Sequence, residues 1–217
     1  MGILRFMLAI AVVIYHAGDF FGLKLTGGAA SVQIFFIISG FYMTMILDNK
    51  YVGAGSYKLF LSNRFLRIYP MYWLVSLLAC ISAFTTSYFY DYWGTLTSYS
   101  QNEGLLSIQA VVYQVFANIA LFGQDLSLFL GIRPEDGSLY FTSDFRATAP
   151  YFSSFSVVPQ AWTLALELMF YLIAPFIVRK NYKLVLVVIL ISLGARFYTY
   201  EFLGLNADPW TYRFFPF

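Results

Sequence analysis

Charge is scarce in this sequence. Asp, Glu, Lys and Arg together make up 11% of 217 residues, and 60% are hydrophobic. A soluble domain carries about 25% charged residues and about 45–50% apolar ones. A water-exposed surface needs polar side chains on every outer element, and too few are present to supply one. The net charge of +2 is too small for a nucleic-acid footprint, and no solvated basic stripe with interleaved aromatics occurs. Cysteine occurs once, as Cys80 within an apolar run, so no disulfide framework exists inside the chain. Histidine also occurs once, as His16. A secretory cleavage site is missing too. Arg5 and the apolar run Phe6–Tyr15 resemble a signal sequence, but Tyr15-His16-Ala17-Gly18-Asp19 follows instead of a small-x-small site. We read this segment as a retained span. The Met1-Gly2 start lacks the Ser or Thr of a myristoylation signal.

What is abundant is apolar and aromatic. There are 24 Phe and 18 Tyr, which suits lipid contact and interfacial aromatic belts. A hydrocarbon core about 30 Å thick needs roughly 20 apolar helical residues. Five stretches meet or nearly meet that length: Ile3–Phe21, Ala29–Leu47, Ile68–Tyr90, Val157–Val178 and Leu184–Tyr200. A sixth, Leu105–Leu130, is interrupted by Gln109, Gln114, Asn118, Gln124 and Asp125. The predicted fold is all-α: a polytopic bundle of about five spans plus one re-entrant or peripheral apolar helix.

Orientation follows from basic residues in short loops. Segment 48–67 holds Lys50, Lys58, Arg64 and Arg67, and segment 179–183 holds Arg179, Lys180 and Lys183. Both are expected on the cytoplasmic side, which requires an even number of crossings between them. Ile68–Tyr90 and Val157–Val178 supply two. A full crossing by Leu105–Leu130 would make three, so that segment is expected not to span.

Ionisable groups inside spans are costly and face a cavity or partner. Arg5 and His16 are eleven residues apart, about three helical turns, and share one helix face. Histidine ordinarily titrates near pH 6.5, which suits general-base work. The competing role for His16 is a hydrogen bond at the interface, with Asp19 as partner. Ser39-Gly40 sits in a charge-free span, where close helix packing outweighs catalysis by Ser39. Arg64 and Arg67 lie three apart just before Ile68-Tyr69-Pro70, and Pro70 suits a helix start. Such a pair grips phosphate or anchors to lipid headgroups. Glu167 stands in an otherwise apolar helix and is expected to be neutral or paired with Arg5, Arg196 or His16.

Taken together these residues resemble the acyltransferase-3 family of integral-membrane O-acyltransferases. Arg5 and His16 are similar to its Arg-x10-His pattern, and Phe35-Phe36-Ile37-Ile38-Ser39-Gly40-Phe41 to its Phe-Phe-x-x-Ser-Gly-Phe signature. Arg64, Arg67 and Pro70 resemble its Arg-x-x-Arg-apolar-x-Pro motif. Trp162-Thr163-Leu164, Glu167 and Phe170-Tyr171-Leu172 resemble its Trp-Ser/Thr-Leu-x-x-Glu-x-x-Phe-Tyr string. The resemblance covers nearly the whole chain, 1–217, as one membrane-embedded domain. Family members are longer, so the chain is expected to be truncated at its C-terminus and by a few residues at its N-terminus. The resemblance implies transfer of an acyl group, commonly acetyl from acetyl-CoA, to a hydroxyl of a carbohydrate, glycolipid or other cell-envelope acceptor. It implies His16 as general base, Arg5 and Glu167 as further catalytic residues, and Arg64 and Arg67 as contacts to the acyl-CoA donor. No metal is expected. A bacterial cytoplasmic-membrane location is expected. A transporter or flippase, with Arg5, Glu167 and Arg196 along its path, and a non-catalytic assembly subunit are the competing classes.

Overall fold

The structure is a computed structural model, and it describes residues 2–17, 27–179 and 182–205. Its helices are α1 (Gly2–Ala17), α2 (Gly28–Lys50), α3 (Ser56–Tyr90), the short α4 (Thr97–Gln101), α5 (Ile108–Ala120), α6 (Trp162–Ile177) and α7 (Tyr182–Glu201). Two strands, β1 (Leu130–Ile132) and β2 (Leu139–Phe141), form one antiparallel hairpin. Among the described residues, α2, α3, α6 with the turn before it, and α7 are long and apolar enough to cross a membrane. The protein is an integral membrane protein built of helices. α1 has 16 residues and rises about 24 Å, short of a 30 Å core. The last four residues of the expected first span, 18–21, and Asp19 with them, lie outside the described residues.

Contacts divide the chain into two compact units. One takes in the described parts of Met1–Phe60 and Ile173–Ser192, the other those of Leu61–Leu172 and Leu193–Phe215. In the first, α1 runs antiparallel to α2. Tyr15 lies over Gly28, where an added Cβ would stand 2.6 Å from the ring, and Arg5 reaches Ser39. The Arg179 guanidinium donates to the carbonyls of Leu47, at 2.7 Å, and Tyr51, so it caps the end of α2.

Segment 48–67 differs from expectation. Only residues 51–55 form a turn, with Gly53 and Gly55 at φ +92° and +77°, and α3 begins at Ser56. Lys58, Arg64 and Arg67 therefore sit on α3 rather than in a loop, and Pro70 lies inside the helix, not at its start. Pro70 forfeits the bond to the Leu66 carbonyl, a loss that membrane helices tolerate.

In the second unit the sixth apolar stretch does not form one crossing helix. α5 covers 13 residues and stops at Leu121, whose φ is +64°. A 3₁₀ turn, Asp125–Phe129, leads into the hairpin. The amides that weakened the sequence pattern explain this. Gln114 Nε2 donates to the Phe152 carbonyl at 2.7 Å. Asn118 donates to the Phe155 carbonyl at 3.3 Å and accepts from the Val157 amide at 2.8 Å. They fasten α5 to the strip that leads into α6. Beside them Ala110, Ile132, Phe152 and Phe155 form a small core. Tyr99 donates to the Phe155 carbonyl at 2.9 Å, and burial pushes its phenol up to about 12, so it stays a donor at neutral pH. Gly137, at φ +68°, closes the hairpin against the start of α5. A Cβ there would stand 1.9 Å from the Leu105 carbonyl oxygen.

Gln114 is 1% exposed, so losing its amide strands a buried carbonyl. Gln114→Leu is expected to cost about 1–3 kcal/mol. It should appear as a lower thermal midpoint in detergent. An unchanged midpoint would mean that the 152–157 strip docks without this bond.

Candidate functional site

The motif residues form two clusters, one in each unit. The first joins α1 to α2. Arg5 lies near the start of α1, where its Nη2 donates to Ser39 Oγ. Its guanidinium carbon stands 4.5 Å from the centroid of Phe35 and 5.9 Å from that of Tyr42. Phe35, Ser39 and Tyr42 recur at intervals of four and three residues, so they line one face of α2. A guanidinium taken from water is stabilised by aromatic faces and a hydroxyl acceptor, because both offer negative potential along its plane. Ser39 is 4% exposed and is a polar partner of Arg5. Among the described residues, nothing lies within 4 Å of where a Gly40 Cβ would stand.

His16 lies in the last turn of α1, next to its final residue Ala17. It is exposed, and its ring meets Tyr15 edge-on at 5.3 Å. Eleven residues at the helical rise set it about 16 Å along the axis from Arg5. The helix thus carries a held cation at one end and an accessible imidazole at the other.

The second cluster joins α3 to α6. Glu167, Tyr171 and Arg64 are all buried, at 8%, 4% and 7% exposure. The Tyr171 hydroxyl donates to Glu167 Oε1 from one turn further along α6. The Arg64 guanidinium stands 5.5 Å over the Tyr171 ring. One phenol therefore serves two neighbours, the Glu167 carboxyl group through its hydroxyl and the Arg64 cation through its face. Arg67, three residues beyond Arg64, is exposed. The pair thus splits between a buried and an open position.

The structure brings Arg5 to the Phe-Phe-x-x-Ser-Gly-Phe motif and Arg64 to the Glu167 motif. Sequence reasoning assigned no role to Phe35, Tyr42 or Tyr171, and treated Ser39 as packing. Their signal was present in the spacing. Tyr171 is four residues from Glu167, and Phe35 is four from Ser39.

Comparison with known proteins decides what these motifs belong to. The acyltransferase-3 family, described as an acyltransferase domain, matches residues 1–217. The chain belongs to this family. A Staphylococcus aureus (strain COL) protein named "Putative O-acetyltransferase" is 26% identical over 215 residues, 93% of this chain and 30% of that protein. The exopolysaccharide production protein ExoZ of Rhizobium meliloti (strain 1021) is 41% identical over 64 residues, 30% of this chain and 19% of ExoZ. Protein 2 in the picA locus of Rhizobium radiobacter is 35% identical over 82 residues, 37% of this chain and 42% of that protein. The chain thus spans between about a fifth and two fifths of the length of these relatives. No solved structure gives a significant match. The two clusters are built from the residues whose spacing resembled that family in sequence, and of Arg5 and His16 the histidine is the exposed one.

Proposed function

We propose that the protein is a membrane-bound O-acyltransferase that moves an acyl group, acetyl in the simplest case, from acyl-CoA to a hydroxyl of a cell-envelope carbohydrate. The observation that carries this reading is α1. It holds Arg5 against Phe35, Ser39 and Tyr42 at one end and presents His16 at the other. The His16 imidazole takes the proton of the acceptor hydroxyl as its oxygen attacks the thioester carbonyl. The carbon–sulfur bond then breaks, and the CoA thiolate leaves with the proton from the imidazolium. Arg5 supplies fixed positive charge to the donor or to the developing oxyanion. Glu167, bound by Tyr171, keeps the α3–α6 pair in register and holds Arg64 in place through the shared ring.

The carbohydrate acceptor is supported by ExoZ, whose name concerns exopolysaccharide production. The basic segments 48–67 and 179–183 face the cytoplasm in this reading, as positive-inside bias favours, in a bacterial cytoplasmic membrane. The donor is polyanionic and cytoplasmic, so it meets the exposed Arg67 first.

Incubating the purified protein with radiolabelled acetyl-CoA and candidate glycans tests the reading. Labelled glycan supports it. Flux of glycan into vesicles without labelled product would replace it with a transporter. A second expectation concerns the donor. Arg64→Ala combined with Arg67→Ala should raise the apparent KM for acetyl-CoA about tenfold or more, the loss of at least one charge-assisted bond. Arg67→Ala alone should carry most of that change, because Arg64 is already engaged by Tyr171. Unchanged kinetics would return the pair to headgroup anchoring.

A further inference from the structure

Asparagine brings donors and an acceptor in its side-chain amide, beside its backbone carbonyl. Asn118, in the last turn of α5, uses each of these groups. Its carbonyl accepts from the Tyr72 hydroxyl of α3 at 2.5 Å. Its Nδ2 donates to the Gln114 carbonyl at 2.9 Å and to the Phe155 carbonyl at 3.3 Å. Its Oδ1 accepts from the Val157 amide at 2.8 Å. One residue thus meets α3 through its backbone and the approach to α6 through its side chain.

Both ties lead to the second cluster. Arg64, Ile68 and Tyr72 recur every four residues and are all buried, so they lie on one stripe of α3. Tyr72 stands about two turns, roughly 12 Å, from Arg64. On the other side Thr95 Oγ1 donates to the Val157 carbonyl, so Val157 is held by both of its backbone groups. Only Val158 separates it from the helical run Pro159–Ile177, which carries Glu167 and Tyr171. All of these residues belong to the second unit. A helix rises by about 1.5 Å per residue, so a bond at Tyr72 sets the level of Arg64, and a bond at Val157 sets that of Glu167. The Arg64 guanidinium meets Tyr171 over its ring face. A cation over a ring tolerates sideways movement, and hydrogen bonds to and from an amide do not.

We propose that Asn118 is a positioning residue. It sets the level of α3, with Arg64 and Arg67, against α6, with Glu167 and Tyr171, and so holds the two arginines where the acyl-CoA donor meets them. The inference rests on the donor role proposed above for that pair. Asn118 acts through Tyr72 and Val157, not by contact with the donor. Gln114 supplies the internal comparison. It fastens the same strip at Phe152, five residues before Val157, while the Tyr72 hydroxyl goes to Asn118.

The test measures the dissociation constant for acetyl-CoA and the thermal midpoint on the same detergent preparations. Asn118→Leu should weaken acetyl-CoA binding severalfold, short of the change in the variant that combines Arg64→Ala with Arg67→Ala. Gln114→Leu should lower the midpoint and leave binding at the wild-type value. Tyr72→Phe removes one hydroxyl and keeps the ring, so it is the milder probe and decides the matter where Asn118→Leu does not fold. It should weaken binding in the same direction. The Tyr72 and Val157 ties act in series, so Tyr72→Phe with Asn118→Leu should do no more than Asn118→Leu alone. Neither change should cost further affinity once both arginines are alanine, because the residues being positioned are gone. Wild-type binding in either single variant, additive losses in the pair, or a loss in Gln114→Leu that follows its midpoint would leave Asn118 a structural bond and overturn the proposal. Unchanged binding in the double arginine variant is a different result. It removes the donor role itself, and this inference with it.

Discussion

Replacing His16 by alanine is expected to abolish acyl transfer while the protein stays in the membrane. Positioned proton transfer contributes on the order of 10²–10⁴ in rate, and no second histidine exists to substitute. The change is mild structurally. His16 is exposed at the end of α1 and touches Tyr15 through a ring edge, so its loss opens no cavity. Product formation and membrane fractionation, read together, separate chemistry from insertion. His16→Gln keeps size and hydrogen bonding without an imidazole base and should be equally inactive. Normal acylation by either variant would remove His16 from the reaction and leave it an interfacial side chain.

Arg5→Ala should fall nearly as far, by on the order of 10²–10³ in kcat, the usual loss when a positive donor is taken from an acyl-transfer site. The geometry adds a second arm. Arg5 is gripped by two ring faces and one hydroxyl, an arrangement that suits a planar cation and not an ammonium. Arg5→Lys should therefore not restore activity. Ser39→Ala leaves the rings in place and removes one acceptor, so an intermediate rate is expected. A purely structural Arg5 would give the opposite pattern. Activity would then track the thermal midpoint across the three variants, and Lys would rescue both. Measuring kcat and midpoint on the same preparations distinguishes the two cases.

The spans were legible because apolar length is nearly all that a bilayer asks of a helix. α2 and α7 begin and end within a few residues of the stretches read from hydropathy. α3 was not. Its first twelve residues carry Lys58, Arg64 and Arg67, which look like a loop to any charge count, yet a buried Arg64 stacked on Tyr171 is compatible with a helix. Hydropathy sees the charge and not its partner. The same blindness explains Ser39. In sequence a serine beside a glycine in an apolar helix signals packing, and only the position of α1 shows that the hydroxyl faces a guanidinium. The interrupted stretch 105–130 went the other way. Gln114 and Asn118 looked like defects in a span, and they are the bonds that hold a short helix to its neighbour. Which partner a polar residue has is a long-range fact, set 37 to 39 residues away along the chain in these contacts.

Proline at position 70 leaves α3 continuous for 35 residues, about 52 Å. A helix of that length does not fit inside a bilayer core of about 30 Å at any ordinary lean, since an inclination of about 40° still leaves about 40 Å along the normal. Some of α3 must therefore stand clear of the hydrocarbon. A membrane that thins or thickens by a few ångströms slides its boundary along this rod without straining it. The protein is thereby expected to tolerate changes in acyl-chain length that would tilt or expel a helix cut to fit.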